Sequence, residues 1–387
     1  MTRPSLLEGP PADYGEDEPA MARYRREGEA RARALDNRGP LRLDDQGRPD
    51  LGFLDAYWRY GFYVIEGLLD QAELDDLESD IADVLDRAPV APGAPTDRAG
   101  RPALGAGCRA MTFDFVAPLS DPVGGTLANR GRHPVKMTEP APPPGAPAEV
   151  LQLIVGTLQF SDACLRFYGH PHLLAIAAAI NGDDFAPFNE AIWIKHAHLG
   201  GSVAWHQDGF TYWDSPDLDA GTHGFNFMAQ LYGCTPANGL WVVPGSHVGG
   251  KADITAMVAA AGSDRLPEAV PLVCGPGDVV ITNRQVVHGS FANTSADPRI
   301  TVQHGFHRRR SVLGAVSGAR ANPVVIDDAR VRERSKPIMY GIDARAQRYP
   351  DEQRYVYQPF AGEEDQYRWA PQTKAALRDY NLLDLGI

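Results

Sequence analysis

Between Phe188 and His307 the chain is cut into short apolar runs by repeated turn signals: Gly200-Gly201, Asn238-Gly239, Pro244-Gly245 and Pro276-Gly277-Asp278. Glycine and proline are the strongest local breakers of regular structure. The runs between them, such as Val279-Val-Ile-Thr282, are rich in β-branched residues. Short strands tolerate that spacing and long helices do not, so this span predicts an antiparallel sandwich or barrel.

The flanks read differently. Residues 1–50 are polar and form an N-terminal extension, in which Ala20–Leu35 has the composition of a surface helix with a solvated charged face. Phe62-Tyr-Val-Ile65 reads as a strand. Asp70 and Glu73 then have the spacing of a capping box, and Leu74, Leu77, Ile81 and Leu85 follow at helical intervals. Residues 86 to about 147 are dense in proline and glycine, ending in Pro140-Ala-Pro-Pro-Pro-Gly145. A run of that length inside a compact domain is expected to be a lid, a binding loop or disorder. Helices resume near Ser161–Tyr168 and His172–Ile180. The expected division is therefore an extension at 1–50, a β domain at 51–313 carrying an insertion at about 86–147, and a C-terminal extension at 314–387 that packs on the core or builds a homodimer contact.

Composition narrows the function classes. The net charge of −13 argues against a nucleic-acid partner, which would need clustered Lys and Arg. The Arg308-Arg-Arg310 cluster is too short to change that. No run approaches the roughly 18 apolar residues of a membrane span, and the N-terminus lacks a secretory h-region. The four cysteines, Cys108, Cys164, Cys234 and Cys274, have no CxxC spacing. They read as reduced, buried thiols of a cytoplasmic protein.

One short stretch carries chemistry. In Ala204-Trp-His-Gln-Asp-Gly-Phe210, His206 and Asp208 are two residues apart. On a strand they share a face and can reach one point. Two histidines and a carboxylate on one octahedral face suit non-haem Fe(II). His288 is the best second histidine: it ends an apolar strand that follows the Pro276-Gly277-Asp278 turn, and Gly289 after it leaves room around a ligand. Arg299 and Thr301 form a further i, i+2 pair, where a guanidinium fork could grip a carboxylate. A lone His-x-Asp pair is ordinarily incidental; it is the company of His288 and Arg299 that lifts this one.

Together these pieces resemble the phytanoyl-CoA dioxygenase-like family of Fe(II)/2-oxoglutarate oxygenases. The resemblance rests on WHQD at 205–208, NGLWVVPGSH at 238–247, PGDVVITNRQVVHGS at 276–290, Arg299 eleven positions after His288, and GFYVIEGLLDQAELDDL at 61–77. It runs from about Gly61 to Arg308, with the Pro-rich segment as an insertion. It implies a mainly β fold with flanking helices around a double-stranded β-helix (jelly roll, cupin-like) core. It implies Fe(II) held by His206, Asp208 and His288, with 2-oxoglutarate and O2 as cosubstrates. Arg299 and Ser290 match positions that hold the distal carboxylate of 2-oxoglutarate, and Thr301 shares that task. Met228 stands where some members place a tryptophan against the cosubstrate. Lys195 lies on the strand before WHQD, where the family often has a polar residue facing the site. The implied reaction converts 2-oxoglutarate to succinate and CO2 while hydroxylating a C–H bond of a small molecule.

Substrate contacts are assigned from position. Phe210 and Trp213 follow the first ligand strand, Trp241 lies in the NGLWVV run, and Arg109 sits in the insertion. Tyr212, His223 and Phe225 are weaker candidates. His247 reads as part of a structural turn, and His196, His198, His304 and His307 as ordinary strand residues. Asp208 disfavours a halogenase, whose iron site opens by replacing that carboxylate with a small residue. Desaturation, epoxidation and ring formation need no change of ligand. A non-catalytic barrel that binds a small ligand or scaffolds a partner is the reading from a different class, because a jelly roll hosts many functions.

Overall fold

The structure, a computed structural model, describes residues 4, 6–209, 224–316 and 324–380. Twelve strands follow in chain order: β1 (Arg38–Gly39), β2 (Phe62–Ile65), β3 (Phe113–Val116), β4 (Val150–Val155), β5 (Ala186–Lys195), β6 (Val203–His206), β7 (Gly224–Gln230), β8 (Trp241–Val242), β9 (Val270–Pro271), β10 (Val279–Asn283), β11 (His288–Ser290) and β12 (Arg299–His307). They form an eight-stranded sheet, β1-β2-β10-β7-β12-β5-β4-β3, and a four-stranded sheet, β6-β11-β8-β9. Every pairing is antiparallel except β1 with β2. From β5 onward the chain passes repeatedly between the two sheets, which is the double-stranded β-helix.

Helices flank both sheets, most of them on the outer face of the large one. α1 (Glu18–Arg33) and α2 (Leu51–Tyr60) precede α3 (Gln71–Asp86), whose capping box between Asp70 and Glu73 is formed as its sequence predicts. α4 (Asp162–Tyr168) and α5 (Pro171–Asn181) follow. α6 (Ile254–Ala261) and the short α7 (Arg309–Val312) come before the long α8 (Asp328–Arg348). Alternation divides the strands. Phe225, Phe227 and Ala229 of β7 and Ile300 and Val302 of β12 join the helices in the main core. Asn226, Met228 and Gln230, and Arg299, Thr301 and Gln303, point between the sheets. α8 packs on α4 and β5, and the Tyr357 hydroxyl donates to the Phe185 carbonyl at 2.5 Å. The C-terminal aromatics therefore serve the core of their own chain. Among the described residues no helix is long and apolar enough to cross a membrane.

The N-terminal segment is not the solvated extension its charges suggest. Met21 and Tyr24 of α1 are buried. Tyr24 stacks on Trp241 at 4.3 Å and 9°, and its hydroxyl donates to the Leu266 carbonyl at 2.9 Å. Gly28 is required here, because a Cβ would lie 2.4 Å from the Trp241 ring. Arginines at 23, 25, 26, 31 and 33 mask one narrow apolar stripe. Long cationic side chains can edge a buried face without entering it.

Candidate metal centre

β6 and β11 pair so that His206 and His288 are direct partners in register, with Val242 of β8 beyond His288. All three side chains face the large sheet. Ligand atoms of His206, Asp208 and His288 lie within 4.8 Å of one another. Each imidazole is fixed by its own chain. The Nδ1–H of His206 donates to the Ala204 carbonyl at 2.8 Å, and that of His288 to the Val286 carbonyl at 2.9 Å. This leaves both Nε2 lone pairs free for a metal. Asp208 lies just past β6, held by its N–H donating to the Arg284 carbonyl at 2.8 Å. Gln207 turns the other way, onto the carbonyls of Gly250 and Gln285. Gly209 takes φ 81°, so the chain leaves the site in a conformation that glycine adopts freely.

Gly289 has a different purpose from the room expected of it. A Cβ there would lie 3.1 Å from the Trp205 ring and the Val203 carbonyl, on the face away from the ligands. It lets β11 close on β6, which brings the two histidines together.

The electrostatics suit a divalent cation. Burial pushes the Asp208 carboxyl up, but Arg284 and Arg132 outweigh it and hold it well below the ordinary carboxylate range. Burial holds both histidines below their ordinary value, so they stay neutral. Neutral imidazoles and an ionised carboxylate are the protonation states a metal requires. The Asp208 carboxylate accepts from Arg132 Nη1 at 3.2 Å on one oxygen. The other accepts from Asn226 Nδ2 at 3.3 Å and Arg284 Nε at 3.4 Å. Arg284 also donates to His307 Nε2 at 3.0 Å and lies 3.6 Å over the Phe188 ring.

The second half of the site lies toward the start of β12. Arg299 is the register partner of Lys195. Both are buried, and among the described residues neither forms an ion pair with a carboxylate. Arg299 Nη1 donates to the Asn238 carbonyl at 2.8 Å, while its Nε has no partner. Burial lowers its pKa to about 10. Lys195 Nζ donates to the Phe291 carbonyl, and burial, then Arg299, hold its pKa well below the ordinary lysine value. Ser290 Oγ is buried and has no partner among the described residues. Orphaned polar atoms cost about 1–3 kcal/mol each unless something meets them. A dicarboxylate fits this cradle. The Thr301 hydroxyl is already engaged, donating to Gln230 Oε1 at 2.8 Å. Met228 lies between the sheets with Val242 and Val280, as an apolar wall.

The expected substrate contacts fare differently. Trp241 is on the wrong face of β8: it registers with Gly289, packs on Tyr24, and donates to the Pro236 carbonyl at 3.1 Å. It belongs to the core under α1. Arg109 is 83% exposed and meets Asp379 near the C-terminus, far from the triad. Phe210 and Trp213, with Tyr212 and His223, lie outside the described residues, and Phe225 packs in the main core. The insertion does reach the metal centre, but through Arg132 and His133. The His133 ring lies 4.4 Å from that of His206, and burial, then Arg132, lower its pKa to about 3. Nothing in the periodicity of Gly131-Arg-His-Pro134 marks these two. Arg284 and His307 were also missed as partners of the site. Their only signal was position: Arg284 lies four residues before His288, in the turn that feeds β11. His247 is structural, its Nε2 on the Trp58 carbonyl at 2.9 Å.

Parts of this chain are similar to known proteins. A family model described as phytanoyl-CoA dioxygenase (PhyH) matches residues 154–301, which hold all three ligands and Arg299. Phytanoyl-CoA dioxygenase 1 of Oryza sativa subsp. japonica is 34% identical over 110 residues, covering 26% of this chain and 37% of that protein. The chain thus matches little more than a third of that relative's length. Among solved structures, AviO1 from Streptomyces viridochromogenes Tue57 is similar at 21% identity, covering 69% of this chain and 96% of that one, with a TM-score of 0.44. EctD from S. alaskensis, solved with 2-oxoglutarate and 5-hydroxyectoine, is similar at 19% identity, covering 70% and 81%, with a TM-score of 0.46.

Proposed function

We propose that this protein, whose residues 154–301 match the family model described as phytanoyl-CoA dioxygenase, is an Fe(II)/2-oxoglutarate-dependent oxygenase that hydroxylates a C–H bond of a small organic substrate. The observation that carries the reading is the convergence of His206, Asp208 and His288, whose ligand atoms lie within 4.8 Å of one another. The buried Arg299 Nε and Ser290 Oγ, which have no partner among the described residues, support 2-oxoglutarate as cosubstrate.

His206, Asp208 and His288 would hold the iron, and three ligands leave three positions on an octahedral ion. Bound Fe(II) with 2-oxoglutarate supplies the oxidising chemistry, in which O2 is consumed and succinate and CO2 are released. The chain supplies placement. Arg299 and Ser290 would hold the far carboxylate of the cosubstrate through charge-assisted hydrogen bonds and a hydroxyl, with Lys195 adding positive charge. Arg284 and Asn226 keep Asp208 ionised and aimed. Met228 and Val242 line the space between the sheets and keep it dry. Arg132 and His133 close the insertion over the ligands. The buried free thiols support a cytoplasmic setting.

The test is succinate release from 2-oxoglutarate with iron and O2 across a panel of small organic substrates, with Asp208→Ala as control. Stimulated, iron-dependent succinate formation in the wild type alone is expected. Its absence across the panel from folded protein would favour a non-catalytic ligand-binding barrel.

A further inference from the structure

Two cysteines unused by the proposed reaction face each other beside the Arg299 anchor. Cys234 and Cys274 form an isolated antiparallel bridge with both backbone bonds made, Cys234 N–H to the Cys274 carbonyl at 3.0 Å and the reverse at 3.1 Å. A hydrogen-bonded antiparallel pair holds its Cα atoms about 5.5 Å apart. That is inside the roughly 4.4–6.8 Å range of disulfides. The frame around them is tight. Gly233 takes φ 78°, and a Cβ on it would lie 2.5 Å from the Cys274 carbonyl oxygen. Both thiols are free and buried, yet they lie beneath a turn whose residues Thr235–Ala237 and Gly275-Pro276 reach the surface. Contact with Cys234, then burial, holds the Cys274 thiol well above its ordinary pKa. Such a pair oxidises slowly.

The same turn carries the Arg299 contact. It runs from Cys234 to Gly239, closed by Gly239 N–H on the Thr235 carbonyl at 2.8 Å and by Thr235 N–H on Asn238 Oδ1 at 2.8 Å. Its Asn238 carbonyl accepts from Arg299. A new bond at Cys234 pulls one end of the turn whose other end positions the guanidinium.

We propose that Cys234 and Cys274 form a reversible cross-strand disulfide that displaces the Asn238–Arg299 contact and weakens 2-oxoglutarate binding. The oxidant class is a hydroperoxide. One sulfur attacks hydrogen peroxide, the O–O bond breaks, and a sulfenic acid and one water result. The second sulfur attacks the first, the S–S bond forms, the S–O bond breaks, and a second water leaves. Two thiols lose two electrons and peroxide gains them; a dithiol reductant reverses the reaction.

The consequence for binding rests on the proposed role of Arg299, and the disulfide does not. The test treats the metal-free full chain with hydrogen peroxide, removes it, blocks free thiols and maps cross-links by mass spectrometry. A parallel sample receives Fe(II) and 2-oxoglutarate without O2, and the chelate absorbance is titrated. The expected result is a Cys234–Cys274 cross-link, a 2-oxoglutarate Kd raised about fivefold or more, and recovery with dithiothreitol. Cys234→Ser and, separately, Cys274→Ala should bind 2-oxoglutarate normally and ignore peroxide. No cross-link at this pair, or a cross-link with unchanged affinity, overturns the proposal. If the reduced protein itself gives no chelate absorbance, the oxygenase reading fails, and the mass spectrum still decides the disulfide.

Discussion

Two arginines donate to the one carboxylate of the metal centre, and they come from different kinds of chain. Arg284 lies in the turn between β10 and β11, fully buried, with its guanidinium stacked on Phe188 and bonded to His307. Arg132 comes from the proline-rich insertion, one residue after a run in which Asn129, Arg130 and Gly131 all take positive φ. The first is placed by a ladder of paired strands. The second is placed by a loop that reaches the triad through Arg132 and His133. Residues on paired strands inherit their direction from register, whereas loop residues inherit theirs from packing. His206, His288, Arg299 and Lys195 belong to the first kind, and His133 to the second.

That contrast orders the expected effects of breaking the site. Arg299→Ala removes a charge-assisted anchor worth about 1.5–3 kcal/mol, so the 2-oxoglutarate Kd should rise about 10- to 100-fold in a chelate titration while circular dichroism stays unchanged. Arg284→Gln should lower metal affinity by about tenfold or more, as partners behind a ligand commonly do. Arg132→Gln should change it by less than about tenfold, because Asn226 and Arg284 still hold the other Asp208 oxygen. Competition with a chromophoric chelator measures both, and the reverse order would break the comparison. Gly289→Ala attacks the ladder from its far side, where the added methyl meets Trp205. A loss of about 1–3 kcal/mol in stability is expected, read as a lower midpoint in urea, together with weaker metal binding.

The smallest effect is on pH dependence. Burial and Arg299 hold the Lys195 pKa well below its ordinary 10.5. A bound carboxylate favours the charged form and raises that pKa again. Binding of 2-oxoglutarate should therefore take up a proton in the window between the two values, and affinity should fall as pH rises through it, by at most about tenfold per unit. Calorimetry in buffers of different ionisation heat detects the uptake, and Lys195→Gln should abolish it. Arg109→Ala, on the exposed surface, should change none of these quantities.

The same contrast explains what the amino-acid sequence reveals. Strand placement, the α3 capping box and the two histidines with Asp208 are all legible. Period-two alternation and fixed turn chemistry determine where such side chains point. Trp241 misled because a two-residue strand gives no alternation to read. Its face is set by Gly28 and Tyr24 on a helix more than 200 residues away in sequence. Arg132 and His133 were invisible for the opposite reason. The insertion has no period, and its path depends on contacts such as the two Asp121 oxygens, which accept from the N–H groups of Gly124 and Met137. The arginine-rich α1 read as solvated because charge count does not report the narrow stripe of Met21, Tyr24 and Gly28.

The central claim is that His206, Asp208 and His288 hold an iron to which 2-oxoglutarate binds. Its most direct test is anaerobic addition of Fe(II) and 2-oxoglutarate to metal-free protein, following the visible charge-transfer absorbance of the chelate. The account predicts a band in the wild type that is lost in Asp208→Ala. Folded wild-type protein that gives no band, or an Asp208→Ala variant that gives an undiminished one, would contradict it.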